Sequence, residues 1–181
     1  MVLENPSLTP DEQEHDMAEI TLAGNPVHTS GELPAIGSPA PAYTLTKADF
    51  SSVSSADLAG RQVILNIFPS MDTGLCATAI RTFNERAAGL DATVLCVSAD
   101  LPTAAGRFCG AEGIENVSTA STFKNPEVLE AYGVRMTDGK LEGLAARSVV
   151  VIGADGNVVH AELVPEIAQE PDYDAAIAAL A

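Results

Sequence analysis

Three cysteines, Cys76, Cys96 and Cys109, are the residues of this chain best suited to redox or nucleophilic chemistry, and their surroundings differ. Cys76 ends the segment FPSMDTGLC, which leaves an apolar run and enters a helical pattern. Its thiol therefore falls in the first turn of a helix, where free backbone N–H groups and the positive dipole end favour an anion. A thiol so placed loses its proton more readily, and the thiolate is the form that attacks oxygen or sulfur. Pro69 ends the preceding strand and shapes the loop. Thr73 either caps the helix or offers its hydroxyl to the thiolate, and Gly74 removes bulk beside the sulfur. The bland alternative is a small apolar residue packed on a helix.

Cys109 lies between Phe108 and Gly110, with Gly106 and Gly113 close by, so its segment is pliable. Cys96 stands in the middle of TVLCVSA and reads as a buried strand residue. Arg147 opens another apolar run, SVVVIG; from its own neighbours it is either a site cation or the partner of a surface acid.

Buried strands and one amphipathic helix must position these groups. Gln62 to Phe68 (QVILNIF) is a nearly continuous apolar run ended by Pro69, the pattern of a strand covered on both faces. Leu75, Ala79, Ile80, Phe83, Ala87 and Leu90 then recur at helical spacing. Thr93 to Ala99 is a second buried strand. Pro102 to Glu112 and Asn125 to Tyr132 are short helices. Ser148 to Gly153 and Asn157 to Val164 form a hairpin across Ala154-Asp155-Gly156, and Asp172 to Leu180 closes the chain as a helix with an acidic first turn. Upstream, ITLAGNPVHT (residues 20–29) reads as a hairpin turning at Gly24-Asn25-Pro26, and SGELPAIGSPAPAYTL (residues 30–45) as extended loop. The order predicts an α/β fold of thioredoxin-like type, a mixed central sheet flanked by helices with an N-terminal β-hairpin. Residues 1–18 read as an acidic, disordered tail and residues 19–181 as the domain.

Composition narrows the function. Nine Lys and Arg stand against 25 Asp and Glu, a formal charge of −16 that repels nucleic acid and anionic membranes. All the cations lie between Lys47 and Arg147. With 46% hydrophobic residues, a mean hydropathy of +0.16 and few aromatics, the chain predicts a core of Val, Ile, Leu and Ala. No run is long enough to span a membrane, and MVLENPSLTPDEQEHDMAE lacks the features of a secretory signal, which predicts a cytoplasmic location. There thiols stay reduced, and an odd count of cysteines suits reactive or buried thiols. CxxC, GxSxG, P-loop and GxGxxG motifs are absent. His15, His28 and His160 read as isolated, so neither a metal nor another cofactor is expected.

Pro69, Thr73 and Cys76 form a PxxxTxxC motif. The run NIFPSMDTGLC, with SADLP at 98–102, RFCGAEG at 107–113 and GLAARSVVV at 143–151, resembles the bacterial thiol peroxidase group of the peroxiredoxin family from about Ile20 onward. The resemblance implies that Cys76 is the peroxidatic cysteine, attacking the O–O bond of hydrogen peroxide or an organic hydroperoxide and becoming a sulfenic acid. It further implies that Thr73 hydrogen-bonds thiolate and peroxide, that Pro69 shields the site, and that the Arg147 guanidinium stabilises thiolate and peroxide oxygens. Cys109 would resolve the sulfenic acid as an intramolecular disulfide, which thioredoxin reduces. A homodimer and a preference for organic hydroperoxides are also implied. If the two cysteines lie on different helices, the 75–79 and 106–113 segments must open, because a disulfide needs Cα atoms within ~7 Å. Three rivals remain: a one-cysteine peroxidase resolved by an external thiol, a redox-responsive binding module switched by a Cys76–Cys109 disulfide, and a thioredoxin-fold scaffold without chemistry.

Overall fold

The computed structural model describes residues 17–180; most of the expected tail lies outside them. The alternating-face geometry of strands explains why the central runs are apolar throughout. In β5 (Val63–Ile67), Val63, Leu65 and Ile67 face one layer and Ile64 the other, with Phe68 continuing the second set. β6 (Thr93–Ser98) lies parallel beside it, and β8 (Ser148–Ile152) runs antiparallel on its other side. β3 (Thr44–Lys47), β4 (Ser52–Ser54), β7 (Ser118–Ser121) and β9 (Val158–Leu163) complete a seven-stranded mixed sheet in the order β4-β3-β7-β6-β5-β8-β9.

α1 (Gly74–Ala87), α2 (Pro102–Glu112) and α4 (Tyr173–Ala178) cover one face. There Ile80 and Phe83 of α1, Ala105 of α2 and Ala176 of α4 pack on Ile64, Val94, Val149 and Val151. α3 (Glu127–Ala131) covers the other face through Val128 and Leu129, beside Tyr132 and Tyr43. The core is thus aliphatic in its strands, as composition predicts, with Phe68, Phe83 and Tyr132 fully enclosed among them.

Several boundaries differ from the sequence reading. Thr44 and Leu45 belong to a strand, because β3 pairs with both β4 and β7 and buries Leu45. β7 (STAS) has no large apolar side chain, so nothing in its own residues marks it; its pairing with β6 and β3 makes it a strand. α1 stops at Ala87, short of Leu90.

The N-terminal hairpin is present as β1 (Glu19–Leu22) and β2 (Asn25–His28), but it turns at Ala23-Gly24. Both turn residues have positive φ, 51° and 77°, as a two-residue hairpin of the favoured twist requires. Pro26 lies within β2, opposite Thr21. His28 is not isolated: its Nδ1 lies 2.6 Å from Asp138 Oδ2, and this carboxylate, with a smaller effect from Glu19, raises its pKa. No helix among the described residues is long and apolar enough to cross a membrane.

Candidate active site

The loop after β5 and the first turn of α1 carry Cys76 to the carboxyl ends of the parallel strands. Thr73 is the N-cap of α1: its Oγ1 accepts from the Cys76 N–H at 3.4 Å and donates to the Ser70 carbonyl at 3.1 Å. Of the two uses the sequence leaves open for this hydroxyl, the fold adopts the cap. Pro69 is buried, as are Phe68 and Met71.

Arg147 immediately precedes β8 and projects on the helix-covered face, as Val149 and Val151 do. Its Nη2 lies 3.2 Å from the Cys76 sulfur, and its Nε donates to the Ile167 carbonyl at 2.9 Å. Nη1 is buried and has no hydrogen-bond partner. The side chain is 2% exposed, and among the described residues no carboxylate lies within ion-pair distance of it. A buried cation lacking a carboxylate is costly unless another group supplies negative charge. Cys76 itself is 0% exposed, so the sulfur is enclosed, yet it touches the guanidinium.

Cys109 rests elsewhere. It is half-buried on α2, its sulfur 3.8 Å from Thr119 Oγ1 on β7, and burial pushes its pKa up. Between β7, which anchors Cys109, and β8, which anchors Arg147, lie β6 and β5. Three strand spacings of ~4.8 Å place those anchors roughly 14 Å apart. All three cysteines are free thiols. The fold thus joins Cys76 with Arg147 and Thr73 and holds Cys109 in a separate position.

Cys96 is fully buried, as its strand predicts; desolvation pushes its thiol up to about 12, and Asn66 Nδ2 approaches its sulfur at 3.6 Å. Among the described residues no cluster of His, Cys, Asp and Glu could hold a metal ion.

Two contributors escaped the sequence reading. Ile167 acts through its backbone carbonyl, for which a side-chain pattern gives no signal. Asp100 follows β6 and accepts from Ser70 Oγ and the Met71 N–H, each at 2.8 Å, tying the Cys76 loop to the neighbouring strand end. An acid directly after a buried strand, within SADLP, was its visible signal.

The redoxin family profile matches residues 35–177. The chain is 63% identical over 164 residues to proteins named thiol peroxidase from Mycobacterium tuberculosis and Mycobacterium bovis, spanning 91% of this chain and 99% of each of those. A peroxiredoxin-like protein from Aquifex aeolicus superposes with a TM-score of 0.85 at 36% identity, over 90% of this chain and 95% of that one. A thiol peroxidase from Chromobacterium violaceum, 18% identical, shares the fold with a TM-score of 0.78 over 87% of this chain and 91% of that one.

Proposed function

The chain belongs to the thiol peroxidase group of the redoxin family, and from that premise we propose that it reduces hydroperoxides through Cys76. The observation that carries this reading is the buried Arg147 guanidinium, one arm on the Cys76 sulfur and another without a partner. In its thiolate form, Cys76 is the counter-charge that Arg147 otherwise lacks. The free Nη1 is a donor suited to a peroxide oxygen as negative charge develops there. Arg is apt for both tasks, since its fork of donors stays charged at any relevant pH.

The thiolate sulfur attacks the nearer peroxide oxygen, the O–O bond breaks, and the departing oxygen leaves as water or alcohol after taking up a proton. Cys76 becomes a sulfenic acid. The Cys109 sulfur then attacks the Cys76 sulfur, forming the S–S bond and releasing water. A dithiol such as thioredoxin returns two electrons and two protons by exchange, restoring both thiols. Thr73 holds the first turn of α1 in register, and Pro69 keeps water from the sulfur.

Separation of Cys76 from Cys109 requires the segments around both to open before the two sulfurs can meet. In α2 only Pro102 and Ala105 are buried, and no side chain caps its start, features of an element that opens at low cost. Opening also relieves the burial that raises the pKa of Cys109. The protein acts in the reducing cytoplasm as a homodimer and needs no bound cofactor.

One equivalent of hydroperoxide followed by disulfide mapping tests the scheme. A Cys76–Cys109 linkage is expected in the wild type and none in Cys76→Ser. A linkage through Cys96, or peroxide consumption by Cys76→Ser at the wild-type rate, overturns it.

A further inference from the structure

We propose that Asp100 is a positioning residue that sets the balance between the two chemical steps, holding Cys76 in place for peroxide and resisting the opening that forms the disulfide. The inference rests on the peroxidase reading above. Asp100 stands between β6 and α2, two residues before the helix that carries Cys109. Its carboxylate reaches across to the Cys76 loop: Oδ1 accepts from Ser70 Oγ at 2.8 Å, and Oδ2 accepts from the Met71 N–H at 2.8 Å.

The anchor of this tether is itself fixed. Ser98 Oγ donates to Asp100 Oδ2 at 2.7 Å, and Ser121 Oγ at the end of β7 donates to the Asp100 carbonyl. Ser98 and Ser121 are both buried, on paired strands, so the carboxylate is held by the sheet and not by the helix that follows. On the loop side, the Ser70 carbonyl accepts from the Thr73 N–H and hydroxyl, and Thr73 caps Cys76. Sheet, Asp100, Ser70, Thr73 and Cys76 are therefore one connected run of hydrogen bonds.

These bonds favour the first step because they keep the sulfur against Arg147. The same bonds oppose the second, since the loop must leave this position before the two sulfurs, one held against Arg147 and the other against Thr119, can meet. Stabilising one of two conformations shifts their ratio in its favour, so what one population gains the other loses. Loss of the tether therefore moves the steps in opposite directions, whereas general damage to the fold slows both or moves neither selectively.

Asp100→Asn tests this, with Ser70→Ala as the second variant because it removes one loop contact and leaves the anchor intact. Rapid-quench alkylation and mass spectrometry follow Cys76 oxidation and disulfide formation separately, with hydrogen exchange over residues 70–76 as the positional readout. For Asp100→Asn the expected result is Cys76 oxidation slowed about threefold, disulfide formation from the sulfenic acid accelerated about threefold, and faster exchange in the loop, together about a tenfold shift in the ratio of the two conformations, as for a lost tether of ~1.4 kcal/mol. Ser70→Ala should shift both rates in the same opposed sense, less strongly. If both rates fall together or neither changes in the two variants, Asp100 has no such role. If the wild type forms no oxidised Cys76 at all, the peroxidase reading fails instead.

Discussion

At the scale of the residue, Arg147 and Cys76 form a pair whose members lie 71 positions apart and meet only through the fold. Arg147→Gln retains a polar side chain of related shape but removes the charge and the fork. Its expected effect is a loss of about 100-fold or more in kcat/KM for hydroperoxide, comparable to removing one preorganised oxyanion donor. Steady-state kinetics with a dithiol recycling system measure it, and kcat/KM within about threefold of wild type would contradict the assigned role. The sequence made Cys76 legible because a cysteine just inside a helix after a buried strand has few structural reasons to be there. Arg147 was legible only through its motif, since an arginine at the start of an apolar strand carries no sign of what it will face. The enclosure of Cys76 was not legible, because it depends on the 68–71 segment folding back beside α1.

At the scale of the element, the N-terminal hairpin stands behind the arginine. Thr21 exchanges backbone hydrogen bonds with Pro165 and Ile167, and Ile167 is the residue whose carbonyl orients Arg147 Nε. Glu166 clamps the hairpin turn: its carboxylate accepts from Thr21 Oγ1, the Ala23 and Gly24 N–H groups and the Ala168 N–H. The Thr21 hydroxyl, followed by the backbone donors, lowers its pKa to about 2 from the ordinary 4.5. A carboxylate depressed in the folded state stabilises that state fully above its unfolded pKa and loses the contribution as pH falls toward the folded value. The clamp should therefore hold above about pH 4.5 and release progressively toward pH 2. Hydrogen exchange across residues 19–28 should rise over this range in the wild type, and Glu166→Gln should flatten that rise. Unchanged acid sensitivity in Glu166→Gln would show that other groups hold the hairpin.

The hairpin itself was visible in the short apolar runs of ITLAGNPVHT, but its turn lay one step earlier than Gly24-Asn25-Pro26 suggested. Proline tolerates an edge strand, and Ala23 accepts the left-handed backbone the turn demands. β4 and β7 were hidden for a different reason: SVS and STAS are short and lack the hydrophobic period that marks a strand, and only their neighbours in the sheet define them.

At the scale of the whole molecule, the sheet and the helices above it hold the two cysteines in separate places. In the proposed cycle the closed form presents Cys76 to Arg147, and opening of the helices would bring Cys109 to Cys76. All of it depends on Cys76 being the atom that peroxide oxidises. The most direct measurement removes the second step and traps the product of the first. Cys109→Ser, given one equivalent of hydroperoxide in the presence of a sulfenic-acid-specific dimedone probe, should carry a single adduct on the peptide containing Cys76 and none on that containing Cys96. An adduct confined to Cys96, or peroxide consumed with Cys76 still recoverable as the free thiol, would contradict the account.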